Sequence, residues 1–452
     1  MTDKSIQKTE DKKGEVIWTR PTPSGYLSFI LTISITSALF VYLDYVYLGT
    51  VLLSAGLLAA CIFYFSDILI IENGRIKRVG SIAAFWLKIS GGRDRLRLSK
   101  IEQIKTDFIR VIRIGQEARF TYGTLIYGRN TAFYIDSRRK NYWKFINHLT
   151  QVIPWQLQDE LTRAIGQFSI DKRSPKDLIN ELRLPEKELS DFSEAIRSIN
   201  LNLAIEKKGL TSTESEELRK AAVRLRIGGL IPQSLEALRR LISSGSYNAD
   251  TLVEYSRSLK IYAMLAGEVK TARRAVAIAR LAERRAANDL AALERVGELY
   301  SDFDEWNKAK RVFRKLINDR ARSFKAHVRL AEAALGEGKL AHVIHNLSQA
   351  VDSASLPELR RWAKTEYQYF TRLYEDEDYT ELELSRISLL ERAEWVHRRS
   401  PILIISGLAL IGIGLIYDSS SAANAGWVIV FIALAIWNLS SIATKALSRR
   451  LR

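Results

Sequence analysis

The sequence predicts a multi-domain membrane protein in which two α-helical transmembrane hairpins, one near each end, enclose a small β domain and an α-helical repeat array. Three observations predict it. Long uncharged stretches occur in pairs at both ends, short apolar strands with glycine turns follow the first pair, and a regular helical spacing recurs in the middle. The 452 residues give room for several domains, and a hydrophobic share of 47% excludes a disordered chain. Cys61 is the only cysteine, so no disulfide framework exists. A mean hydropathy of −0.08 matches a soluble protein only because the apolar residues are concentrated at the ends.

Residues 1–25 read as a tail and 26–65 as the first hairpin. No charge occurs from Tyr26 to Tyr42 or, after Asp44, from Tyr45 to Ser66. Each stretch approaches the roughly 20 residues that a helix needs to cross a bilayer. Residues 401–444 repeat the design, with Pro401–Tyr417 and Ala422–Thr444 separated by a tip that carries only Asp418. Trp18, Tyr42, Tyr45, Trp395 and Tyr417 stand at interfacial depths. The hairpin tips lack Lys and Arg. Lys4, Lys8, Lys12, Lys13 and Arg20 precede the first span, and the 445–452 tail holds Lys445, Arg449, Arg450 and Arg452. This asymmetry places both termini and the central domains on the cytoplasmic side.

Residues 66–153 change period. Asp67–Glu72 and Arg75–Val79 read as strands around an Asn73-Gly74 turn, whose residues accept the two positive φ angles of a tight hairpin. Further strands are expected at 82–89, 101–106, 108–114, 118–122, 124–127 and 131–135, followed by an amphipathic helix over 138–152 that ends at Pro154. The expectation is a small capped barrel. From Ser66 to Lys140 there are 16 Lys+Arg against 7 Asp+Glu, densest at Lys88, Arg93, Arg95, Arg97 and Lys100. Those five are the candidate anionic-lipid contacts, since a cation beside an anionic leaflet gains about 1 kcal/mol.

The stretch Gly14–Ser24, the hairpin after it, Ile71-Glu-Asn-Gly-Arg-Ile76, Leu98-Ser-Lys-Ile101 and Tyr122-Gly-Thr-Leu125 resemble bacterial membrane proteins with a pleckstrin-homology-like domain, over roughly 14–152. Trp143 in the closing helix fits that pattern. The resemblance implies a PH-like β-barrel with a C-terminal helix and a membrane address, and it carries no catalytic residues.

Residues 154–216 form a helical connector with segments at 155–165, 175–183 and 186–207. Over 217–397 a spacing of about 34 residues emerges. Leu293, Val296, Gly297, Tyr300, Ala309 and Phe313 occupy its positions 4, 7, 8, 11, 20 and 24; Leu259, Tyr262, Ala263, Ala266, Ala275 and Ala279 precede them; His327, Leu330, Ala331, Ala334, Val343 and Leu347 follow. Small residues at 8 and 20 let paired helices cross closely, and larger ones fill the space between units. A weaker unit contains Leu225, Gly228, Ala237 and Leu241, and 356–395 would cap the stack. The spacing resembles tetratricopeptide repeats over 217–352. That resemblance implies a protein-binding concave face from the first helices, with Arg257, Lys260, Met264, Glu294, Glu298, Ser301, Lys325, Val328 and Glu332 as candidates.

The sequence offers no catalytic constellation, and the expectation is a non-enzyme without cofactor or metal. Gly336-Glu-Gly-Lys339 is an inter-helix turn and not a phosphate loop. His327, His342 and His345 have no carboxylate or cysteine beside them in the motif. The charge of +17 raises nucleic acid as a ligand, but the arginines of the repeats are interspersed with Glu and Ala and lack interleaved aromatics, which disfavours it. The functional expectation is an inner-membrane adaptor that binds a protein partner through its repeats, with anionic lipid as a second contact. The alternative is a noncatalytic subunit of a larger membrane enzyme, transporter or secretion complex.

Overall fold

The computed structural model describes residues 17–20, 24–80, 94–114, 117–128, 131–168, 175–184, 211–245, 248–319 and 323–448. They fall into two compact units. The first is drawn from Met1–Ile101, Gly128–His148 and Ala393–Ala446, and the second from Glu102–Tyr127, Leu149–Arg392 and Leu447–Arg452.

In the first unit, α1 (Ser24–Tyr42) and α2 (Val46–Ser66) form the N-terminal hairpin, turning at Asp44, whose φ is 66°. The helices approach closely because Gly56 and Gly49 carry no Cβ: one at Gly56 would lie 2.5 Å from the Ile33 side chain, and one at Gly49 2.8 Å from the Ser37 carbonyl oxygen. The Ser37 hydroxyl donates to the Gly49 carbonyl across the same contact.

At the other end, α15 (Glu377–Ile416) and α16 (Ser420–Leu447) form the second hairpin, where Gly414 faces the Ala423 backbone and Gly407 lies against Gly426. Among the described residues, three helices are long and apolar enough to cross a membrane: Val46–Ser66, Glu377–Ile416 and Ser420–Thr444. The apolar part of α1 that is described, Phe29–Tyr42, is shorter. The two hairpins share one core, in which Ile35 of α1 joins Ile404, Ile411, Trp427, Val430 and Leu434. Tyr42 donates to Asn424 at 3.1 Å and stacks obliquely on Trp427, and Asn438 reaches Thr32 at 3.4 Å.

Pro401, where the uncharged stretch begins, sits inside α15, which runs unbroken from the cap through Trp395 into the apolar segment. The proline cannot donate to the carbonyl of His397, four residues back. The Ser400 hydroxyl compensates, donating to Val396 O at 2.7 Å and lying 3.3 Å from His397 O.

Seven described strands make two antiparallel sheets, of order β1-β2-β3-β4 and β5-β6-β7. Their bounds are β1 Ile17–Thr19, β2 Ile68–Glu72, β3 Arg75–Val79, β4 Arg95–Arg97, β5 Ile101–Ile114, β6 Glu117–Gly128 and β7 Thr131–Asp136. Asn73 and Gly74 turn β2 into β3 with φ of 48° and 67°, the expected conformation. The expected closed barrel is absent among the described residues. Two pairs of short strands expected on either side of Asp107 and Gly123 are instead the single long strands β5 and β6. One strand was unexpected: Ile17–Thr19, placed in the tail, pairs with β2 in the register Thr19↔Leu69. The strand expected at 82–89 lies outside the described residues. Helix α3 (Tyr142–Val152) closes the β region, starting four residues later than the 138–152 helix the sequence suggested.

The second unit is dominated by helix pairs: α6 (Ser212–Ile227) with α7 (Ile231–Ser243), α8 (Ala249–Ala266) with α9 (Val269–Arg285), α10 (Leu290–Asp302) with α11 (Trp306–Asn318), and α12 (Phe324–Gly336) with α13 (Leu340–Ser353), followed by α14 (Pro357–Glu375). Side chains cap their starts. Thr211 and Glu214 form a reciprocal capping box, and Asn248, Asp289 and Ser323 accept from the first turns of α8, α10 and α12. Gly267, with φ of 69°, ends α8.

The residues at the repeating positions are buried in all three clear copies apart from Ala266, which is partly buried. Gly297 carries the closest crossing, since a Cβ there would stand 2.5 Å from the Phe313 ring. One continuous core runs from Leu178 to Leu330, and α4 (Glu160–Phe168) and α5 (Pro175–Glu181) belong to the same unit. The connector helix expected at 186–207 lies outside the described residues.

Candidate functional site

The first helices of three successive pairs, α8, α10 and α12, contribute Arg257, Glu298 and Lys325 to one buried polar cluster. Helix α4 and the turn before it fill that cluster from outside. Glu298 accepts from Lys325 Nζ at 2.6 Å and from Arg163 Nη2 at 3.0 Å. Trp155 underlies both cations, with Lys325 Nζ 4.6 Å and the Arg163 guanidinium 5.5 Å from the ring centre. Arg257 lies 3.4 Å from Glu160, 3.2 Å from Glu254 and 3.7 Å from Asp302, and Arg226 joins Glu254 at 2.5 Å. Each of the three helices thus meets α4 or Trp155 through a charged side chain.

The opposite side of α4 is fixed to the β region of the same unit. Thr106 Oγ1 lies 2.9 Å from Thr124 Oγ1 and 2.7 Å from Thr162 Oγ1. Asp159 caps α4, accepting from the Thr162 hydroxyl and, at 3.2 Å each, from the backbone N–H of Thr162 and Thr106. Gln158 bridges to Ile104, and the Tyr122 hydroxyl donates to Ile227 O at 2.5 Å. Gly166 permits the contact with α3, since a Cβ would collide with Thr150.

The electrostatics follow from this enclosure. Burial pushes the Glu298 carboxyl up, but Lys325 and Arg163 outweigh it and hold the group down at about 2. Burial lowers the Lys325 ammonium despite Glu298 beside it. Asp159 has no such cation. Burial raises its pKa to about 6, against the hydrogen bonds from Thr162 and Thr106.

The nine candidate residues of the repeats divide accordingly. Arg257, Glu298, Ser301 and Lys325 are buried, and three of them engage α4 or Trp155. Ser301 donates to the Gly297 carbonyl within its own helix. Lys260 lies 5.2 Å from the Phe303 ring, and Glu294 accepts from the Ser323 hydroxyl. Met264 is exposed, Val328 is partly buried, and Glu332 accepts from Arg329 at the edge. The sequence reading missed Trp155, Glu160, Arg163, Arg226 and Glu254. A usable signal existed: Arg257, Glu298 and Lys325 alternate in sign along the face that should be enclosed, and the connector carries Glu160 and Arg163 one turn apart.

Of the candidate lipid contacts, Lys88 and Arg93 lie outside the described residues. Arg95 and Arg97 flank buried Leu96 on β4, and Arg95, Arg97 and Lys100 are exposed. The register sets Arg75 opposite Arg97 and Lys77 opposite Arg95, a cross-strand group of like charges that the sequence reading had not assembled. Among the described residues no group of three His, Cys, Asp or Glu side chains is placed to hold a metal ion. No family model matches the chain, and no curated protein matches it.

Proposed function

We propose that the protein is a noncatalytic adaptor of the bacterial inner membrane, anchored by hairpins at both ends, whose helix pairs form a tetratricopeptide-like array that recruits a protein partner on the cytoplasmic side. Residues 66–153 are read as a pleckstrin-homology-like domain beside the membrane, with the Arg75, Lys77, Arg95 and Arg97 group as its contact with anionic lipid. The observation that carries the reading is the seat of α4: the face of α8, α10 and α12 already accommodates a helix through an aromatic ring and paired charges, which is the chemistry of a helix-binding surface. Anchoring then acts by raising the partner's effective concentration near other membrane components.

The test is copurification of the full chain in mild detergent beside a chain lacking 217–395. The adaptor reading expects a soluble partner that disappears with the deletion. A stoichiometric membrane complex that survives it would instead assign the chain as a subunit held through its spans. Sidedness is read with a reporter fused after Arg452, which should be active only in its cytoplasmic form.

A further inference from the structure

The end of α2 carries a second cationic group, separate from β4, in which two guanidiniums form no ion pair with a described carboxylate, although Asp136 attracts Arg139 at longer range. Pairing of Thr19 with Leu69 brings Arg20 back to the end of the helix. There its guanidinium lies 5.4 Å from the Tyr64 ring centre and 5.1 Å from that of Phe65. Arg139, just after β7, donates to the Tyr64 hydroxyl at 3.0 Å. Lys140 lies 5.7 Å from the Trp18 ring, and its carbonyl accepts from Thr19 Oγ1 at 3.1 Å. Three cations and three aromatic rings therefore converge where an apolar helix ends.

The nearby acids are already committed. Asp67 is buried and takes Arg78 in a two-pronged pair at 2.9 and 2.7 Å. Asp136 is buried and takes Arg138 at 2.5 to 3.1 Å. Arg20 and Arg139 form no ion pair with a described residue, and the Nε of each is enclosed without a hydrogen-bond acceptor. A guanidinium held this way is matched by a planar or tetrahedral oxyanion that accepts two N–H donors. On the membrane side, Leu58, Ile62 and Phe65 form one exposed apolar strip along α2.

We propose that Arg20 and Arg139, assisted by Lys140, bind the phosphate of an anionic phospholipid, with its acyl chains along the Leu58, Ile62 and Phe65 strip. The strip commits the site to a lipid: a free phosphate satisfies the guanidiniums but leaves the apolar surface uncovered. Tyr64, Phe65 and Trp18 set the depth, as interfacial aromatics do.

Thermal unfolding of the full chain in a nonionic detergent tests the proposal, with phosphatidylglycerol, phosphatidylcholine or inorganic phosphate added at equal concentration. Phosphatidylglycerol should raise the melting temperature saturably, and the other two should not. In Arg20→Gln and Arg139→Gln, half-saturation should need roughly tenfold more phosphatidylglycerol per arginine removed. Arg95→Gln with Arg97→Gln removes the separate β4 contact, and in that background each of Arg20→Gln and Arg139→Gln should still raise the half-saturating phosphatidylglycerol by the same factor. Equal stabilisation by phosphatidylcholine, or by inorganic phosphate alone, overturns the proposal. So does a full phosphatidylglycerol response in folded Arg20→Gln, Arg139→Gln chains, or its loss only in the β4 variant. Should the glutamine variants fail to fold, Arg20→Lys and Arg139→Lys retain charge but lose the paired donors, and must also need more lipid; an unchanged requirement overturns the proposal.

Discussion

Asp159 and Glu298 are both carboxylates in the polar interior of the second unit, and their surroundings drive them in opposite directions. Asp159 titrates near 6 in the folded chain, above its ordinary 3.8, because burial outweighs its three hydrogen bonds. A raised carboxyl pKa stabilises the fold below the unfolded value and loses that contribution as pH climbs through 6. The span is about 3 kcal/mol. Asp159→Asn preserves the cap, since an amide oxygen still accepts from Thr106 and Thr162. The variant should equal the original near pH 3 and exceed it in melting temperature above pH 6.5. Glu298 behaves oppositely: its carboxyl is held at about 2 against an ordinary 4.5, so its contribution is complete above 4.5 and is lost as pH falls toward 2. Glu298→Gln strands Lys325 and Arg163 with a neutral partner in a buried setting. We expect a loss of about 3–5 kcal/mol at pH 7, measured by denaturant unfolding, with the gap to the original narrowing below pH 4.

At the scale of elements, the repeat was legible because its signal is local. Leu293, Gly297, Ala309 and Phe313 lie within two consecutive helices, and the spacing that buries them is the spacing that pairs them. The crossing gives a direct test. Gly297→Val should cost about 1–3 kcal/mol by driving the Phe313 ring out of its place, and Phe313→Leu in the same chain should recover most of it. Strand lengths were less legible, because pairing decides whether Asp107 and Gly123 interrupt a strand or ride within one. Strand β1 hid in a charged tail, three residues being too short for a periodic pattern. The seat of α4 was illegible for a different reason. Arg163 meets Glu298 and Glu160 meets Arg257 across large sequence separations, and ion pairing has no period to read. That α15 runs from the cap straight into the span was not legible either, because the change from charged to uncharged residues marks where the apolar stretch begins and not whether the helix is broken there.

At the scale of the whole molecule, the hairpins were legible singly and their union was not. Uncharged runs announce spans, but nothing in composition says that Ile35 of α1 shares a core with Ile404 and Val430 from the far end of the chain. Their association rests on close packing around small residues and on two polar bridges, Tyr42 to Asn424 and Thr32 to Asn438, the kind of contact that holds helices together in lipid. The first unit is therefore completed only when both ends of the chain are present, which makes proximity of the ends a measurable consequence. With exposed Cys61 replaced by alanine, cysteines introduced at Thr32 and Asn438 should be joined by a short thiol cross-linker within single molecules. A protease site inserted into the connection between α7 and α8 then reads the result. The two fragments should remain linked after cleavage under denaturing conditions, whereas cysteines at Tyr47 and Asn438 should leave them separate. Separation of the fragments in the Thr32–Asn438 chain as well would mean that the two hairpins occupy the membrane apart, and that the core joining α1 to α15 and α16 does not form there.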